Sequence, residues 1–344
     1  MTVPEIETIL SGLPRQVLCG RATPLERMKR MENTIHTGPL YIKRDDLNGV
    51  GPGGNKVRPL EYLLGEAVER GSDVVIASGQ QNSNLCSIAA AACCRLGMPC
   101  ILVHNNKKPE KGLENLAGNA LLNGLSGVEE RYIGMVSEQE RNEYVKALSE
   151  QLASSGKRPY VIENGATTAV GAVGYIHIGM ELAEENRKFK EMGMPELQIQ
   201  DVFVPGGNGG LAAGTAFGAA LLEHCFHVHV ITVEHTKGEL EHIIKTLSRQ
   251  MENVLGIQLP VPVEKVMTVY EAYRGEGWGI PTGESDQMLC TVAEREGIFL
   301  ERTYTSKTMW GMCDLLETGK VKSRGACMIH SGGFASLFGQ YQNY

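Results

Sequence analysis

Short apolar runs alternate with helical patterns through most of the chain. Residues 73–77 and 99–104 are apolar runs of strand length, and residues 85–96 between them form a predicted helix of small residues. Residues 58–70 carry apolar side chains at helical spacing and end before Gly71, a residue common just beyond helices. This strand–helix–strand order predicts βαβ units, and therefore an α/β fold with parallel sheets flanked by helices.

The same alternation continues to the C-terminus. It predicts strands at 159–162, 199–204, 228–233 and 326–330, and helices at 137–155, 165–184, 238–252 and 284–296. Residues 1–38 are expected to form an arm with a turn at 23–26. Composition alone marks no domain boundary.

Two glycine-rich loops interrupt this pattern. Residues 49–54 hold four glycines shortly before Lys56, where a helix is predicted to begin. A desolvated lysine at such a place is an amine nucleophile able to form a Schiff base, although a solvated surface lysine is the commoner case. Residues 205–214 follow a strand and open a helix, so free N–H groups and the positive end of the helix dipole meet there. Such a place suits a phosphate group.

The second loop matches neither common nucleotide motif. Its Gly-Gly-Asn-Gly-Gly departs from the Rossmann fingerprint and lacks the Gly-Lys-Ser/Thr of a P-loop, and a tight turn without a ligand is the alternative. Residues 78–84 and 330–333 are polar turns that also follow strands, at the edge where parallel sheets bind ligands. A lysine, a phosphate site and two polar strand ends together predict a pyridoxal phosphate site.

Composition and charge exclude several classes of partner. The chain has 344 residues, of which 42% are hydrophobic, and a net charge of -7 without a basic block, which argues against nucleic acid and anionic membranes as partners. Because we find neither a signal peptide nor an apolar stretch of membrane-spanning length, we expect a cytoplasmic protein. The nine cysteines include no Cys-x-x-Cys pair, which argues against a zinc site. His224, His227 and His229 suit one face of a strand, where a metal is an alternative that we do not favour.

Several motifs, in order along nearly the whole chain, resemble one enzyme family. They are Thr-Pro-Leu-Glu (23–26), Tyr-Ile-Lys-Arg-Asp-Asp (41–46), Gly-Gly-Asn-Lys-Val-Arg (53–58), Gln-Asn-Ser-Asn (81–84), Pro-Tyr-Val-Ile (159–162), Gly-Ala-Val-Gly-Tyr (171–175), Tyr-Thr-Ser-Lys (304–307) and His-Ser-Gly-Gly (330–333). These motifs are similar to those of the D-cysteine desulfhydrase and 1-aminocyclopropane-1-carboxylate (ACC) deaminase family. The resemblance implies a homodimer with the two-domain fold type II of pyridoxal phosphate enzymes, like the tryptophan synthase β-subunit. A large cofactor-binding domain would comprise 1–50 and 165–344, and a small domain 51–164.

The resemblance also implies roles for individual residues. Lys56 would hold pyridoxal 5'-phosphate covalently and move the substrate's α-proton, Asn84 would bind the ring hydroxyl, and Ser331 would face the pyridine nitrogen. The phosphate would be held by main-chain N–H groups of Gly207, Asn208, Gly209, Gly210 and Leu211, the last in place of a usual threonine. The substrate, a small amino acid, would contact Asn82, Ser83, Asn84, Trp278, Tyr304 and Thr305. Tyr304 and Ser83 are catalytic candidates, and for Tyr304 packing over the cofactor ring is the alternative.

Departures from the family's pattern leave the substrate open. Tyr304-Thr305 stands where ACC deaminases carry Tyr-Glu, so ACC deamination is disfavoured, while Trp278 replaces a usual tyrosine and residues 80–82 differ from the usual turn. We expect α,β-elimination, with D-cysteine giving pyruvate, sulfide and ammonia. The alternatives are the same chemistry on cysteate, D-serine, chloroalanine or a diamino acid. A non-catalytic pyridoxal phosphate-binding protein is disfavoured because the lysine is intact.

Overall fold

The computed structural model describes residues 1–109 and 112–341. Its strands are β1 (Leu25–Arg27), β2 (Leu40–Lys43), β3 (Val74–Gly79), β4 (Cys100–His104), β5 (Glu129–Tyr132), β6 (Pro159–Ile162), β7 (Asp201–Gly206), β8 (His227–Thr232), β9 (Met267–Tyr270) and β10 (Ala326–Ile329). Its α-helices are α1 (Val3–Leu10), α2 (Lys29–Thr34), α3 (Val57–Glu69), α4 (Asn84–Leu96), α5 (Gly118–Ser126), α6 (Glu138–Ser154), α7 (Ala169–Val173), α8 (Ile176–Glu191), α9 (Gly210–Leu221), α10 (Lys237–Leu255), α11 (Gly283–Glu296), α12 (Thr305–Glu317) and α13 (Phe334–Gln340).

The strands form two sheets. One sheet has six strands in the order β1-β2-β10-β7-β8-β9, and the other has four in the order β5-β4-β3-β6. Every neighbouring pair is parallel except β1 and β2. Helices cover both faces of β3: Val75 and Ala77 belong to the apolar cluster of α3 and α4, and Ile76 packs with Val145 and Leu148 of α6. The expected α/β fold with parallel sheets is confirmed, and its apolar strands follow from burial on both faces.

The two sheets use different parts of the chain. The four-stranded sheet lies within residues 74–162, whereas the six-stranded sheet takes its strands from residues 25–43 and 201–329. The division into a large domain (1–50 and 165–344) and a small domain (51–164) stays a prediction. No helix in the described ranges is long and apolar enough to cross a membrane.

Several elements differ from the sequence expectation. The expected arm contains α1, β1 and α2, and Leu25–Arg27 pairs with β2 where a turn was expected. The single helix expected at 165–184 is two helices, α7 and α8. A Cβ on Gly174 between them would lie 2.3 Å from the carbonyl oxygen of Arg58, so glycine lets the chain pass close to the start of α3. The elements β5, β9 and α12 were not predicted.

The expected histidine cluster lies on β8 and just before it. His229 Nε2 is 2.7 Å from Asp201 Oδ1, and its Nδ1 is 3.0 Å from the Tyr270 hydroxyl. His227 contacts the Thr268 hydroxyl at 2.8 Å. Within 1–109 and 112–341 no group of histidine, cysteine or acidic side chains is arranged to hold a metal ion. These ring nitrogens therefore serve cross-strand hydrogen bonds.

The loop before α3 is fixed to the turn after β10 by main-chain hydrogen bonds. The Asp46 N–H donates to His330 O at 3.0 Å, and the Asn55 N–H donates to Ser331 O at 2.9 Å. Gly53 has a φ of 74°, and a Cβ there would lie 2.0 Å from the Asp46 carbonyl oxygen. Only glycine fits this conformation, so the glycine loop brings Lys56 beside the turn that carries Ser331.

A buried ionic cluster anchors the start of α3. Arg58 donates from Nε and Nη2 to Asp45 at 2.7 Å each and from Nη1 to Glu181 Oε1 at 2.7 Å, and Lys43 pairs with Glu181 at 2.5 Å. Burial would raise the pKa of Glu181, but the charges and hydrogen bonds of Arg58 and Lys43 outweigh it and lower the pKa to about 2. Because Lys43 lies on β2 and Glu181 on α8, the cluster ties the Lys56 segment to both elements.

Candidate active site

Most of the predicted site residues line one cleft of about 640 Å³. Its walls come from the Lys56 segment and from the turns that follow β3, β7 and β10. The predicted residues that line it are Lys56, Asn82, Ser83, Asn84, Gly207, Asn208, Gly209, Gly210, Leu211, Trp278, Tyr304 and Ser331. The carboxyl ends of parallel strands thus converge here, as expected for ligand sites in α/β proteins.

Lys56 is the residue before α3, and its side chain reaches into the cleft. Its Nζ donates a hydrogen bond to Gly165 O at 2.6 Å, and no carboxylate in the described ranges forms an ion pair with it. Burial lowers the pKa of Lys56 to about 8. Roughly a tenth of such an amine is uncharged at pH 7, which makes Lys56 a competent nucleophile.

Unpaired N–H groups mark the loop between β7 and α9. In the described part of the chain, none of the main-chain N–H groups of residues 207–211 donates to another backbone group. Gly209 has a φ of 90°, and a Cβ there would lie 2.8 Å from Ile243 Cγ2. This loop therefore forms an open anion cradle at a helix N-terminus, and its unpaired donors fit a phosphate group.

Asn84 and Ser331 present free polar atoms to the same cleft. Asn119 Nδ2 donates to Asn84 Oδ1 at 2.6 Å, which leaves the Asn84 amide N–H groups available for the oxygen of a ring hydroxyl. The Ser331 carbonyl is engaged by Asn55, whereas its hydroxyl has no hydrogen-bond partner among the described residues. Together with Lys56 and the cradle, these atoms fit pyridoxal phosphate.

Asn82 and Ser83 form the turn between β3 and α4. Ser83 is the N-cap of α4, and its Oγ accepts from the Cys86 N–H at 3.4 Å, so its hydroxyl proton remains available. Asn82 Oδ1 accepts from the Ala120 N–H at 3.2 Å. The turn therefore offers a hydroxyl and an amide N–H group, both suitable donors to a carboxylate.

Tyr304 and Trp278 meet at the cleft. Trp278 Nε1 donates to the Tyr304 hydroxyl at 2.6 Å, and the Tyr304 ring lies close to Gly207, where a Cβ would be 3.2 Å from Tyr304 Cε1. Burial raises the pKa of Tyr304, which outweighs the opposite effect of the Trp278 hydrogen bond. The phenol therefore keeps its proton and can donate it.

Thr305 is the one predicted site residue that the structure does not bring to the cleft. Its Oγ1 accepts from the Glu301 N–H at 2.7 Å, and its own N–H donates to Glu301 Oε1 at 2.8 Å. The same carboxylate accepts from the N–H groups of Thr303 at 2.8 Å and Tyr304 at 2.6 Å. Glu301 thus caps the start of α12 and holds the backbone of Tyr304 in place.

Further cleft residues were missed by sequence reasoning. They are Asn105, Glu138, Arg141, Asn164, Glu234, Glu301, Thr303 and Gln340, among others. Asn105 comes directly after β4 and Asn164 shortly after β6, so the carboxyl-end rule could have found both. Arg141 carries no local signal, because Asn105 and Asn164 lie elsewhere in the sequence. Glu301 precedes α12 and bonds to the N–H groups of its first residues, so a helix-capping pattern could have found it.

The desolvated lysine and the anion cradle in one cleft suit bound pyridoxal phosphate, and comparison with known proteins points to the same cofactor. The family model described as pyridoxal-phosphate dependent enzyme matches residues 18–332, and the chain belongs to this family. A protein of Pyrococcus horikoshii named putative 1-aminocyclopropane-1-carboxylate deaminase is 33% identical over 97% of this chain and 96% of its own. The D-cysteine desulfhydrase of Yersinia pestis is 31% identical over 96% of each chain.

Solved structures agree with this assignment. The crystal structure of an ACC deaminase homologue matches with a TM-score of 0.86 and 32% identity, over 98% of this chain and 97% of that one. Threonine deaminase isoform 2 from Solanum lycopersicum matches with a TM-score of 0.65 over 96% and 84%, and its 17% identity supports the fold alone. The expected family, fold type II and cofactor are confirmed.

Proposed function

We propose that this enzyme catalyses α,β-elimination on a small amino acid and converts D-cysteine and water to pyruvate, hydrogen sulfide and ammonia. The observation that carries the proposal is Lys56, an amine with a pKa lowered to about 8 that lines the same cleft as Tyr304. The similarity to a protein named D-cysteine desulfhydrase, at 31% identity, supports this choice of substrate.

Four residues have roles in the proposed reaction. Bound pyridoxal phosphate supplies an electron sink for the α-carbon. Ser83 and Asn82 orient the substrate carboxylate, and Lys56 Nζ takes the α-proton. The Cβ–S bond then breaks, and the sulfur leaves with the electron pair and takes a proton from Tyr304. The remaining aminoacrylate reacts with water to give pyruvate and ammonia.

Ser331 makes prompt elimination the favoured outcome. A hydroxyl that faces the pyridine nitrogen does not force that nitrogen to stay protonated, as a carboxylate would. Pyridoxal phosphate held beside such a hydroxyl would be a weaker electron sink, which would favour prompt loss of the β-substituent over transamination. In support, the Ser331 hydroxyl lines the cleft without a hydrogen-bond partner in the described ranges.

ACC deamination is disfavoured by the environment of residue 305. A threonine there supplies no carboxylate for opening a cyclopropane ring, and its hydroxyl is bonded to Glu301. Glu301 does line the cleft, but Oε1 accepts from Tyr304 and Thr305 and Oε2 accepts from Thr303 and Gln340. The carboxylate oxygens of Glu301 are thus already engaged by the start of α12 and by Gln340, and the residue acts as a helix cap.

A spectrum and a substrate panel test the proposal. Purified protein with pyridoxal phosphate should absorb at about 410–430 nm, and D-cysteine should give equal amounts of sulfide, pyruvate and ammonia. Lys56→Ala should abolish turnover, and Lys56→Arg, which keeps the charge, should be equally inactive. The absence of that absorbance, or faster consumption of ACC than of D-cysteine, would contradict the proposal.

A second candidate keeps the chemistry and changes the leaving group. Trp278 replaces the tyrosine that the family resemblance implies here, and its N–H is directed at Tyr304, so we expect the surroundings of the β-substituent to differ from the family's. Cysteate, D-serine, chloroalanine and diaminopropionate, each as D and L forms, therefore belong in the panel. Assembly as a homodimer stays a prediction, which sedimentation velocity would test.

A further inference from the structure

Arg141 is a buried cation in the wall of the cleft. It lies in α6, its side chain is 4% exposed, and it lines the same cleft as Lys56. Its Nη1 donates to Asn105 Oδ1 and its Nη2 to Asn164 Oδ1, both at 3.2 Å. Its Nε is enclosed and has no hydrogen-bond partner in the described ranges. Each Nη carries a second N–H beside the one bonded to an asparagine, so the guanidinium has donors to spare for a ligand.

The guanidinium lies at the carboxyl end of β3. Asn105 directly follows β4, and Asn164 shortly follows β6, and these two strands flank β3 in the sheet. Because Arg141 bonds to both asparagines, it spans the point where β3 ends. The turn that emerges there carries Asn82 and Ser83, to which we assigned the substrate carboxylate.

The charge of Arg141 is incompletely neutralised. Its one ion pair in the described ranges is with Glu138, at 3.6 Å, and the Glu138 side chain is 55% exposed. Glu138 Oε1 also accepts from Asn164 Nδ2 at 2.8 Å, and the two asparagine oxygens carry no formal charge. A buried guanidinium whose counter-ion is more than half exposed gains from a second anion, and its planar fork suits an oxyanion.

We propose that Arg141 is a substrate-binding residue that pairs with an oxyanion of the amino-acid substrate. This inference rests on the proposed function in taking the ligand to be an amino acid. The oxyanion is either the α-carboxylate or an anionic β-substituent such as a sulfonate. For a sulfonate, the Cβ–S bond breaks and its electron pair leaves with the sulfur. Cysteate and water then yield pyruvate, hydrogen sulfite and ammonium.

Two variants and a matched control isolate this role. Arg141→Lys keeps the positive charge but loses the planar guanidinium with its paired N–H donors, and Arg141→Gln loses both. Arg158→Gln removes one positive charge just before β6, where the arginine side chain is 68% exposed and 4.0 Å from Asp73. Thermal unfolding of each holoenzyme identifies variants that fold, and Arg141→Lys carries the test if Arg141→Gln does not fold.

Steady-state kinetics distinguishes the two oxyanions. If Arg141 binds the α-carboxylate, KM should rise about tenfold or more for D-cysteine and cysteate alike, with a smaller change in kcat. If it binds a β-sulfonate, KM should rise for cysteate alone. Arg141→Lys should lie between wild type and Arg141→Gln, and Arg158→Gln should match wild type.

Sulfate binding provides a readout that needs no turnover. Low millimolar sulfate, compared with chloride at equal ionic strength, should raise the melting temperature of wild type and Arg158→Gln, raise it less for Arg141→Lys, and leave Arg141→Gln unchanged. This result is obtained even if the protein eliminates none of the substrates, so it separates this inference from the proposed reaction. Folded Arg141 variants with wild-type KM values and a wild-type sulfate response would overturn the assignment.

Discussion

Trp278 Nε1 donates a hydrogen bond to the Tyr304 hydroxyl oxygen at 2.6 Å. An indole N–H can only donate, so the phenol oxygen is the acceptor in this pair. The Tyr304 proton therefore points away from Trp278 and is free for a substrate atom. A tyrosine at position 278 could donate or accept, and would leave the direction of the Tyr304 proton undetermined.

Replacement of Trp278 and Tyr304, singly and together, should show that Trp278 acts through Tyr304. Tyr304→Phe removes the proposed acid and should lower kcat for pyruvate formation by about a hundredfold, within the range of general acid catalysis. Trp278→Phe keeps a ring but loses the N–H, and should lower kcat by about tenfold. The double variant should be no slower than Tyr304→Phe, because Trp278 acts through Tyr304. Additive losses would show two independent roles.

The lowered pKa of Lys56 predicts the pH range in which the amine can react. An ordinary lysine is protonated up to a pH of about 10.5, whereas Lys56 should lose its proton near pH 8 because it is buried. The rate at which apoprotein captures pyridoxal phosphate should therefore rise between about pH 7 and 9 and then level off. Stopped-flow absorbance measures this rate, with Lys56→Ala as the blank. A rate that still rises at pH 10 would mean an unshifted lysine.

Thr305→Glu tests whether one residue separates the two activities of the family. The structure places residue 305 against Glu301, so a glutamate there would bring two carboxylates together in a buried place. We expect the variant to melt several degrees lower and to gain no ACC deamination. Thr305→Ser keeps the hydroxyl and should melt near wild type. Release of 2-oxobutyrate from ACC by a stable Thr305→Glu enzyme would refute this expectation.

The phosphate cradle predicts opposite effects at two of its positions. Leu211→Thr adds a hydroxyl to the cradle, and a single charge-assisted hydrogen bond should tighten pyridoxal phosphate binding by about tenfold. Gly209→Ala forces a side chain onto a φ of 90° and against Ile243, and should weaken binding by at least about tenfold. Equilibrium titration of the apoproteins measures both. Equal affinities in all three proteins would show that the loop does not hold the phosphate.

Glu181 should contribute stability only while it is ionised. Its pKa is about 2, below the ordinary value of 4.5, so the contribution is complete above about pH 4.5 and disappears as the pH falls towards 2. Glu181→Gln should lower the free energy of unfolding by about 3 kcal/mol at pH 7 and by progressively less in acid. Glu184→Gln, on the exposed side of the same helix, is the control and should change little. If the free energies of unfolding of wild type and Glu181→Gln differed by the same amount at every pH, ionisation of Glu181 would not be the source of the stability.

Local patterns predicted those elements that are buried on both faces. β3 is an apolar run because helices cover both of its faces, whereas β5 (Glu129–Tyr132) is a polar strand at a sheet edge and gave no such signal. α12 has Met309, Met312, Cys313 and Leu316 at helical spacing and could have been predicted, whereas the burial of the polar residues in its first turn gave no signal. Burial of polar residues by tertiary contacts is invisible in a local pattern.

The same distinction applies to the site. Lys56 and the loop at 207–211 were predictable because glycine loops next to strands and helices are local features. Arg141 was not, because its partners lie 36 and 23 residues away along the chain. Its significance depends on strand order, since Asn105 and Asn164 become neighbours only after β4 and β6 flank β3.

The contact between the Lys56 loop and the Ser331 turn has a consequence for redesign. A Cβ on Gly332 would lie 2.6 Å from Gly54 Cα, and Asn55 bonds to the carbonyl of Ser331, so backbone atoms alone set this spacing. The Ser331 side chain takes no part in that contact. Ser331, the proposed partner of the ring nitrogen, can therefore be replaced without moving Lys56. Substitution of Gly54 or Gly332 would push the two segments apart.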